Sequence, residues 1–314
     1  MRVLVTGASG FIGRNVLLRA PRDWQILAVH HNTPGLDGFI DRHGLTGTRA
    51  RRCDLTSAAE VDALAHREND FDACLYLAAN GDPAKSVDQP AWDLHLNTQA
   101  LVTCLERIRV RRFVYVSSGA VYDGLSGDVT PETPVAPRLP YAIAKLASEY
   151  YVRAFCERRH TLKSFVNVRF FGAYGPYEAA RKITTRWMLG VMDGRREFTI
   201  RGDGENLVDF MYVDDAVDGF LRLTSSANVN GTTDFASGAP VSVNTIVQTM
   251  ARVLGTDVRV NYEGHTEEYI RFRTVDQTMG AQLGAGPRIS FEDGVRRLHQ
   301  FLVRERDGAG RPPA

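Results

Sequence analysis

The sequence predicts an α/β fold: a doubly wound parallel sheet with a smaller α/β substrate-binding lobe interleaved into it. Three observations predict it. Short runs rich in Val, Leu and Ile alternate with longer segments of helical spacing through the first half of the chain. The first such run opens directly onto a glycine-rich turn. After about Gly172 the rhythm breaks into short, turn-rich pieces. Apolar strands that are each followed by a helix belong to a parallel sheet covered on both faces. Right-handed crossovers then place ligands at the carboxyl ends of the strands.

Arg2–Thr6 reads as a buried strand and Phe11–Arg19 as the helix that follows it. Gln25–His30 is a second strand and Thr48–Cys53 a third, followed by a helix over about Ser57–Arg67. Ala73–Ala78 is a fourth strand, and Ala91–Arg107 an amphipathic helix. Phe113–Ser117, the long helix Tyr141–Arg159 and Ser164–Phe171 complete the alternation. Further on, Leu207–Tyr212 is strand-like, a helix starts near Asp214, and Thr233–Ala236 is another strand. The expected division is a dinucleotide-binding domain over 1–171 plus about 205–237, and a substrate lobe over about 172–204 and 238–306. The Gly- and Pro-rich residues 307–314 are expected to form a flexible tail.

A chain of 314 residues can bury a large core. Its formal net charge of +1 argues against a nucleic-acid or anionic-membrane partner, either of which favours a basic excess. The four cysteines lack metal-ligand spacing and read as buried thiols, so no metal is expected. No run approaches the roughly 18 apolar residues of a membrane span. With no signal peptide at the start, a cytoplasmic protein is expected. Only four of the 38 basic residues are lysines (Lys85, Lys145, Lys163 and Lys182), so each lysine invites a question about what arginine would not do there.

Chemistry enters at two motifs. Thr6-Gly7-Ala8-Ser9-Gly10-Phe11-Ile12-Gly13 sits between the first strand and its helix. Gly7 permits the tight turn, Gly10 lets backbone approach a pyrophosphate, and Gly13 allows close packing of helix on strand. The helix N-terminus supplies positive potential. The second motif is Tyr141-Ala142-Ile143-Ala144-Lys145, which puts a phenol and an ammonium four residues apart on one helix face. The ammonium stabilises phenolate, so the tyrosine can exchange a proton with a carbinol. Lysine suits this as a compact point charge that also hydrogen-bonds a nicotinamide ribose.

The spacing Gly-x-x-Gly-x-x-Gly resembles the extended branch of the short-chain dehydrogenase/reductase family, built on the Rossmann fold. The resemblance covers about residues 1–240 well and the remainder loosely. It implies that Asp54-Leu55 lies near the adenine, that Leu77-Ala78-Ala79 passes under the cofactor, and that Asn97 and Phe171 belong to the same site. It also makes Ser118, in Val116-Ser117-Ser118-Gly119, the serine that orients the reacting oxygen, beside Tyr141 and Lys145. The second strand ends His30-His31-Asn32, where NAD users of the family usually carry an acid. Without it a 2′-phosphate meets no repulsion, so the cofactor expected is NADP or NAD, with NADP favoured.

Val168–Pro176, Gly202-Asp203-Gly204, Asp209–Asp215 and Phe235–Gly238 resemble segments of the sugar-nucleotide epimerases and dehydratases in this family. Gly172 stands where epimerases often carry asparagine, and Val208 where they often carry a diphosphate-binding arginine. Ser118 and Gly119 remain as sugar contacts, and Lys182, Arg186, Arg271 and Arg273 are candidates for gripping the diphosphate. The 4,6-dehydratases place an acidic pair just after the catalytic Ser/Thr. Here the pair is Gly119-Ala120, which has no side chain able to move a proton. The resemblance therefore implies a C4 epimerase of an NDP-hexose acting through a 4-keto intermediate. An NADPH-dependent reductase of an NDP-4-keto-6-deoxyhexose is the alternative, and a silent NAD(P)-binding regulator the alternative of another class. It also implies a homodimer, paired through about Ala91–Arg107 and Tyr141–Arg159.

Overall fold

In a computed structural model that describes residues 1–264 and 271–309, side chains of 271 and 308–309 excepted, strand and helix alternate from the start. The first half lays down β1 (Arg2–Thr6), α1 (Phe11–Arg19), β2 (Gln25–His30), α2 (Leu36–Arg42), β3 (Thr48–Arg52), α3 (Ala58–Arg67) and β4 (Phe71–Tyr76). Next come α4 (Pro83–Asp88), α5 (Pro90–Leu94), a π-helical turn His95–Gln99, α6 (Ala100–Arg107) and β5 (Val110–Ser118). A 3-10 turn Gly119–Tyr122 and β6 (Ser126–Val129) precede α7 (Pro140–Arg158) and β7 (Ser164–Phe170).

The second half is cut finer. It holds β8 (Ala173–Tyr174), α8 (Ile183–Met192), β9 (Glu197–Arg201), β10 (Leu207–Val208), β11 (Met211–Tyr212), α9 (Val213–Ser225) and β12 (Gly231–Phe235). Then follow β13 (Val241–Ser242), α10 (Val243–Leu254), β14 (Arg259–Glu263), β15 (Arg271–Thr274), α11 (Thr278–Leu283) and α12 (Phe291–Ala309).

Seven strands form one parallel sheet in the order β12-β7-β5-β4-β1-β2-β3. The doubly wound architecture expected from the sequence is the one observed. Val3, Leu4 and Val5 of β1 are buried because helices cover both faces. At the sheet edge, β3 reads Thr-Arg-Ala-Arg-Arg with exposed arginines, which blunts further strand pairing. Strand order reverses about β1 and β4, so the loops after these two strands flank the crevice where such sheets bind ligands. Short pairings (β6 with β15, β8 with β11, β9 with β14, β10 with β13) build out the remainder.

Several boundaries differ from expectation for local reasons. β4 stops at Tyr76 because the amides of Leu77 and Ala78 both donate to Thr6 Oγ1, at 3.1 and 3.2 Å. The helix expected over Ala91–Arg107 is interrupted by the π-helical turn, with Asp93 just before it and Asn97 within it both buried. Part of the expected tail is helical: α12 continues through Asp307 to Ala309, and 310–314 lie outside the described residues. Among the described residues no helix is long and apolar enough to cross a membrane.

Candidate functional site

The turn after β1 is a cradle made of backbone. Gly7 holds φ +65°, and a Cβ there would lie 2.9 Å from the Ala78 nitrogen on the loop after β4. A Cβ on Gly13 would lie 2.5 Å from the Gly7 carbonyl oxygen. Gly10 precedes α1 and offers no side-chain cap, so the first-turn amides around Phe11 and Ile12 keep their donor capacity for an anion. These are features a dinucleotide pyrophosphate requires, and the residues present fit one. At the end of β2, His30 Nδ1 is buried without a hydrogen-bond partner among the described residues. His31 Nε2 stands 3.6 Å from Asp54 Oδ2, and Leu55 is buried beside it. Burial raises the Asp54 carboxyl, but hydrogen bonds from Thr56 and the nearby His31 outweigh it and hold the group below the usual carboxylate value.

Ser118, Tyr141 and Lys145 meet at the carboxyl end of β5. Ser118 closes that strand, and its Oγ accepts from the Ala120 amide at 3.1 Å, which starts the 3-10 turn. Pro140 opens α7, and Tyr141 follows with its amide donating to Ser86 Oγ at 3.0 Å. Burial pushes the Tyr141 phenol up, while its hydrogen bond with Ser118 pulls it down. Lys145 lies one turn later, buried, with Nζ 3.0 Å from the Val116 carbonyl oxygen and 5.8 Å from the Tyr141 ring centroid. Burial lowers its ammonium to about 8, against the upward pull of the Asp93 and Glu149 carboxylates.

A buried polar chain supports this trio from behind. Glu149, one turn beyond Lys145, accepts from Ser117 Oγ at 2.6 Å and from Arg169 Nη2 at 3.0 Å. The Glu149 and Arg169 side chains are only 5% and 6% exposed. Arg169 Nη1 donates to the Tyr122 hydroxyl at 3.0 Å, and that hydroxyl donates to Asp234 at 2.8 Å. Burial raises the Asp234 carboxyl to about 6. A second network lies behind the loop after β4. Asp93 Oδ1 accepts from Asn80 Nδ2 and Asn97 Nδ2, each at 2.7 Å, and Asn97 Oδ1 accepts from the Asn80 amide at 2.8 Å.

The remaining expected residues divide. Leu77, Ala78 and Ala79 lie on the loop that meets the glycine turn. The Asn97 side chain is held inside the protein by Asp93 and Asn80, so it shapes that loop instead of facing outward. Phe171 packs over Gly119, where an added Cβ would come within 3.0 Å of its ring, and against Phe272. Gly172 follows with φ +147°. Lys182 Nζ donates to the Gly81 carbonyl oxygen at 3.2 Å, and Arg186 is exposed. Arg273 is turned to solvent, 65% exposed and 2.7 Å from Asp128, and strand alternation sets it opposite Phe272. The Arg271 side chain lies outside the described residues.

Sequence reasoning missed Asp93, Asn80, Glu149 and Arg169. Two signals were present. Asp93 and Asn97 are four apart, as are Lys145 and Glu149, so each pair puts polar groups on one helix face that otherwise packs inward.

The model of the NAD dependent epimerase/dehydratase family matches residues 3–235. A dTDP-glucose 4,6-dehydratase of Mycobacterium tuberculosis is 28% identical over 274 residues, which cover 82% of this chain and 78% of the relative. A UDP-glucose 4-epimerase of Mycolicibacterium smegmatis is 31% identical over 272 residues, 82% of each. Among solved structures, MoeE5 in complex with UDP-glucose and NAD is 28% identical with a TM-score of 0.83, covering 97% of this chain and 99% of that one. With the glycine cradle and the Ser-Tyr-Lys set in place, the match across most of its length assigns the chain to the NAD-dependent epimerase/dehydratase family.

Proposed function

We propose that the protein interconverts C4 epimers of a nucleoside-diphosphate hexose through a transient 4-keto sugar, with a nicotinamide dinucleotide held and recycled in place. One observation carries the choice of reaction. The position after Ser118 is a glycine roofed by the Phe171 ring, and Ala120 follows, so neither position holds the acid that removing water across C5 and C6 would need. The relatives named as dehydratases make this the decisive point, because overall likeness does not separate the two reactions.

Gly7, Gly10, Phe11, Ile12 and Gly13 hold the pyrophosphate in this reading, with Asp54, Leu55 and His31 at the adenosine and Leu77, Ala78 and Ala79 beneath the dinucleotide. The chemistry a nicotinamide supplies when bound is acceptance and return of a hydride at C4 of the sugar. Ser118 hydrogen-bonds the C4 oxygen, and Tyr141 takes its proton on oxidation and gives it back on reduction. Lys145 keeps positive charge beside the Tyr141 oxygen and hydrogen-bonds the nicotinamide ribose. Lys182, at the Gly81 carbonyl, and Arg186 serve the substrate diphosphate, in place of the arginine that Val208 replaces. The lobe formed by about 172–204 and 238–306 receives the substrate.

NAD is the cofactor this reading adopts. Strand β2 ends without an acid, but Asp54, on the loop after the neighbouring strand β3, stands 3.6 Å from His31, so a carboxylate is present there after all. A net reductase consuming NADPH is the second reading, favoured by His30-His31-Asn32. The silent regulator lacks support, because Ser118, Tyr141 and Lys145 are assembled.

Proton NMR of the purified protein with UDP-, dTDP-, GDP- or CDP-hexoses, without added cofactor, tests the assignment. The expected result is a mixture of C4 epimers from one of these donors. A 4-keto-6-deoxy product, or turnover of a 4-keto sugar that requires added NADPH, would overturn it. The exposed apolar side chains Leu94, Ile143, Tyr150 and Tyr151 on α5 and α7 support the paired-helix homodimer. Light scattering is expected to give twice the 34.8 kDa chain mass, and the mass of a single chain rules the dimer out.

A further inference from the structure

We propose that Asp93 is a positioning residue whose negative charge sets the protonation of the Tyr141–Lys145 pair from across the α5–α7 contact. The proposal rests on the reading that Tyr141 moves the substrate proton.

Asp93 is 0% exposed, and a carboxylate so placed needs compensation. Its Oδ1 is satisfied by the two asparagine amides, from Asn80 and Asn97. Its Oδ2 is buried and has no hydrogen-bond partner among the described residues. Neutral amides stabilise a carboxylate without cancelling its charge. The compensating charge comes from Lys145, which is also buried and whose ammonium touches a neutral carbonyl, that of Val116. Helix α5 packs on α7, so the two buried side chains act on each other through low-dielectric protein, where Coulomb interactions reach beyond contact distance.

The other groups about Asp93 do not take over that role. Tyr141 and Glu149 of α7 and Tyr115 of β5 are neutral or acidic, as is Ser86 of α4. Lys85 of α4 lies at the surface over the Trp92 ring, 3.9 Å from its centroid. His95 is exposed and pairs with Gln99 at 2.8 Å. The field of Asp93 pulls the Lys145 ammonium upward against burial and pushes the Tyr141 phenol upward. The same residue also anchors the loop after β4, through Asn80. One carboxylate thus holds both the wall under the dinucleotide and the charge state of the proton-transfer pair.

The test separates charge from shape. Asp93→Asn keeps the shape and an oxygen for the two amides but removes the charge. Asp93→Glu keeps the charge at the cost of shape. Tyrosinate absorbance at 295 nm, taken as the difference from the matching Tyr141→Phe background, reads the Tyr141 titration without any substrate. The expected result is a step moved to lower pH by about half a unit or more in Asp93→Asn, and close to wild type in Asp93→Glu. The limb of the kcat–pH profile that follows Tyr141 moves with it, while KM changes little. A purely structural role predicts the reverse order of damage and an unmoved titration, and that result overturns the proposal. Should Asp93→Asn fail to fold, Asp93→Ser, which still offers an oxygen, takes its place with the same expected shift. Because the absorbance reading needs no turnover, the wrong substrate or reaction would leave it intact. An epimerase whose Tyr141 titration ignores Asp93 would sink this inference alone.

Discussion

Tyr141→Phe is expected to lower turnover by about a thousand-fold while cofactor affinity stays within a few-fold of wild type. The substitution removes one oxygen from a half-buried ring that α7 and Ser86 hold in place, so packing survives. What disappears is the proposed proton carrier beside Ser118, on a ring whose centroid lies 5.8 Å from the Lys145 ammonium. General acid–base catalysis by a positioned group contributes about 10²–10⁴-fold, and a thousand-fold corresponds to about 4 kcal/mol of barrier. Steady-state turnover and a separate cofactor titration check the two halves. A variant that turns over at near wild-type rate would remove Tyr141 from the chemistry.

Arg169→Met is expected to be the most destabilising single change near the site, at about 3–5 kcal/mol. Glu149 would keep only Ser117 as a hydrogen-bonding side chain, with its carboxylate sealed beneath β5 and α7. The Tyr122 hydroxyl would lose the guanidinium that balances Asp234. Breaking a buried pair leaves an unpaired charge, whereas replacing both members with apolar groups does not. A thermal melt should therefore fall by about 10 °C for Arg169→Met and recover substantially in Arg169→Met with Glu149→Leu. A single variant that melts with wild type would show that the pair contributes nothing to stability. The displaced Ser117 matters too, because its neighbour Ser118 is aligned by the same end of β5.

Legibility in the sequence followed how local each feature is. The β1 turn could be read because glycine at 7, 10 and 13 answers to contacts within one strand-turn-helix unit, plus a single approach by the loop at Ala78. The Tyr141–Lys145 pair could be read because four residues on a helix define a face. Arg273 could not be placed, since its direction depends on β15 pairing with β6, 145 residues away in the chain. Asn97 was legible as a position but not as a contact, because its partner Asn80 lies on the loop after β4. The interruption of the helix at 95–99 had no signal in hydrophobic periodicity, which reports a face and not an extra residue within it.

By itself the sequence determined the doubly wound sheet, the dinucleotide turn and the Ser118, Tyr141 and Lys145 set. The sheet, the turn and the Tyr141–Lys145 pair rest on backbone geometry or helical spacing that neighbouring residues impose, whereas Ser118 was reached through the family resemblance. Only the tertiary structure decided what surrounds that set. It roofed Gly119 with Phe171, placed Asp54 beside His31, and buried Asp93, Glu149 and Arg169 behind the tyrosine and lysine. Electrostatics and exclusion act through space, between strands and helices far apart in the chain, so charge state and room for a side chain appear only once the fold brings those parts together.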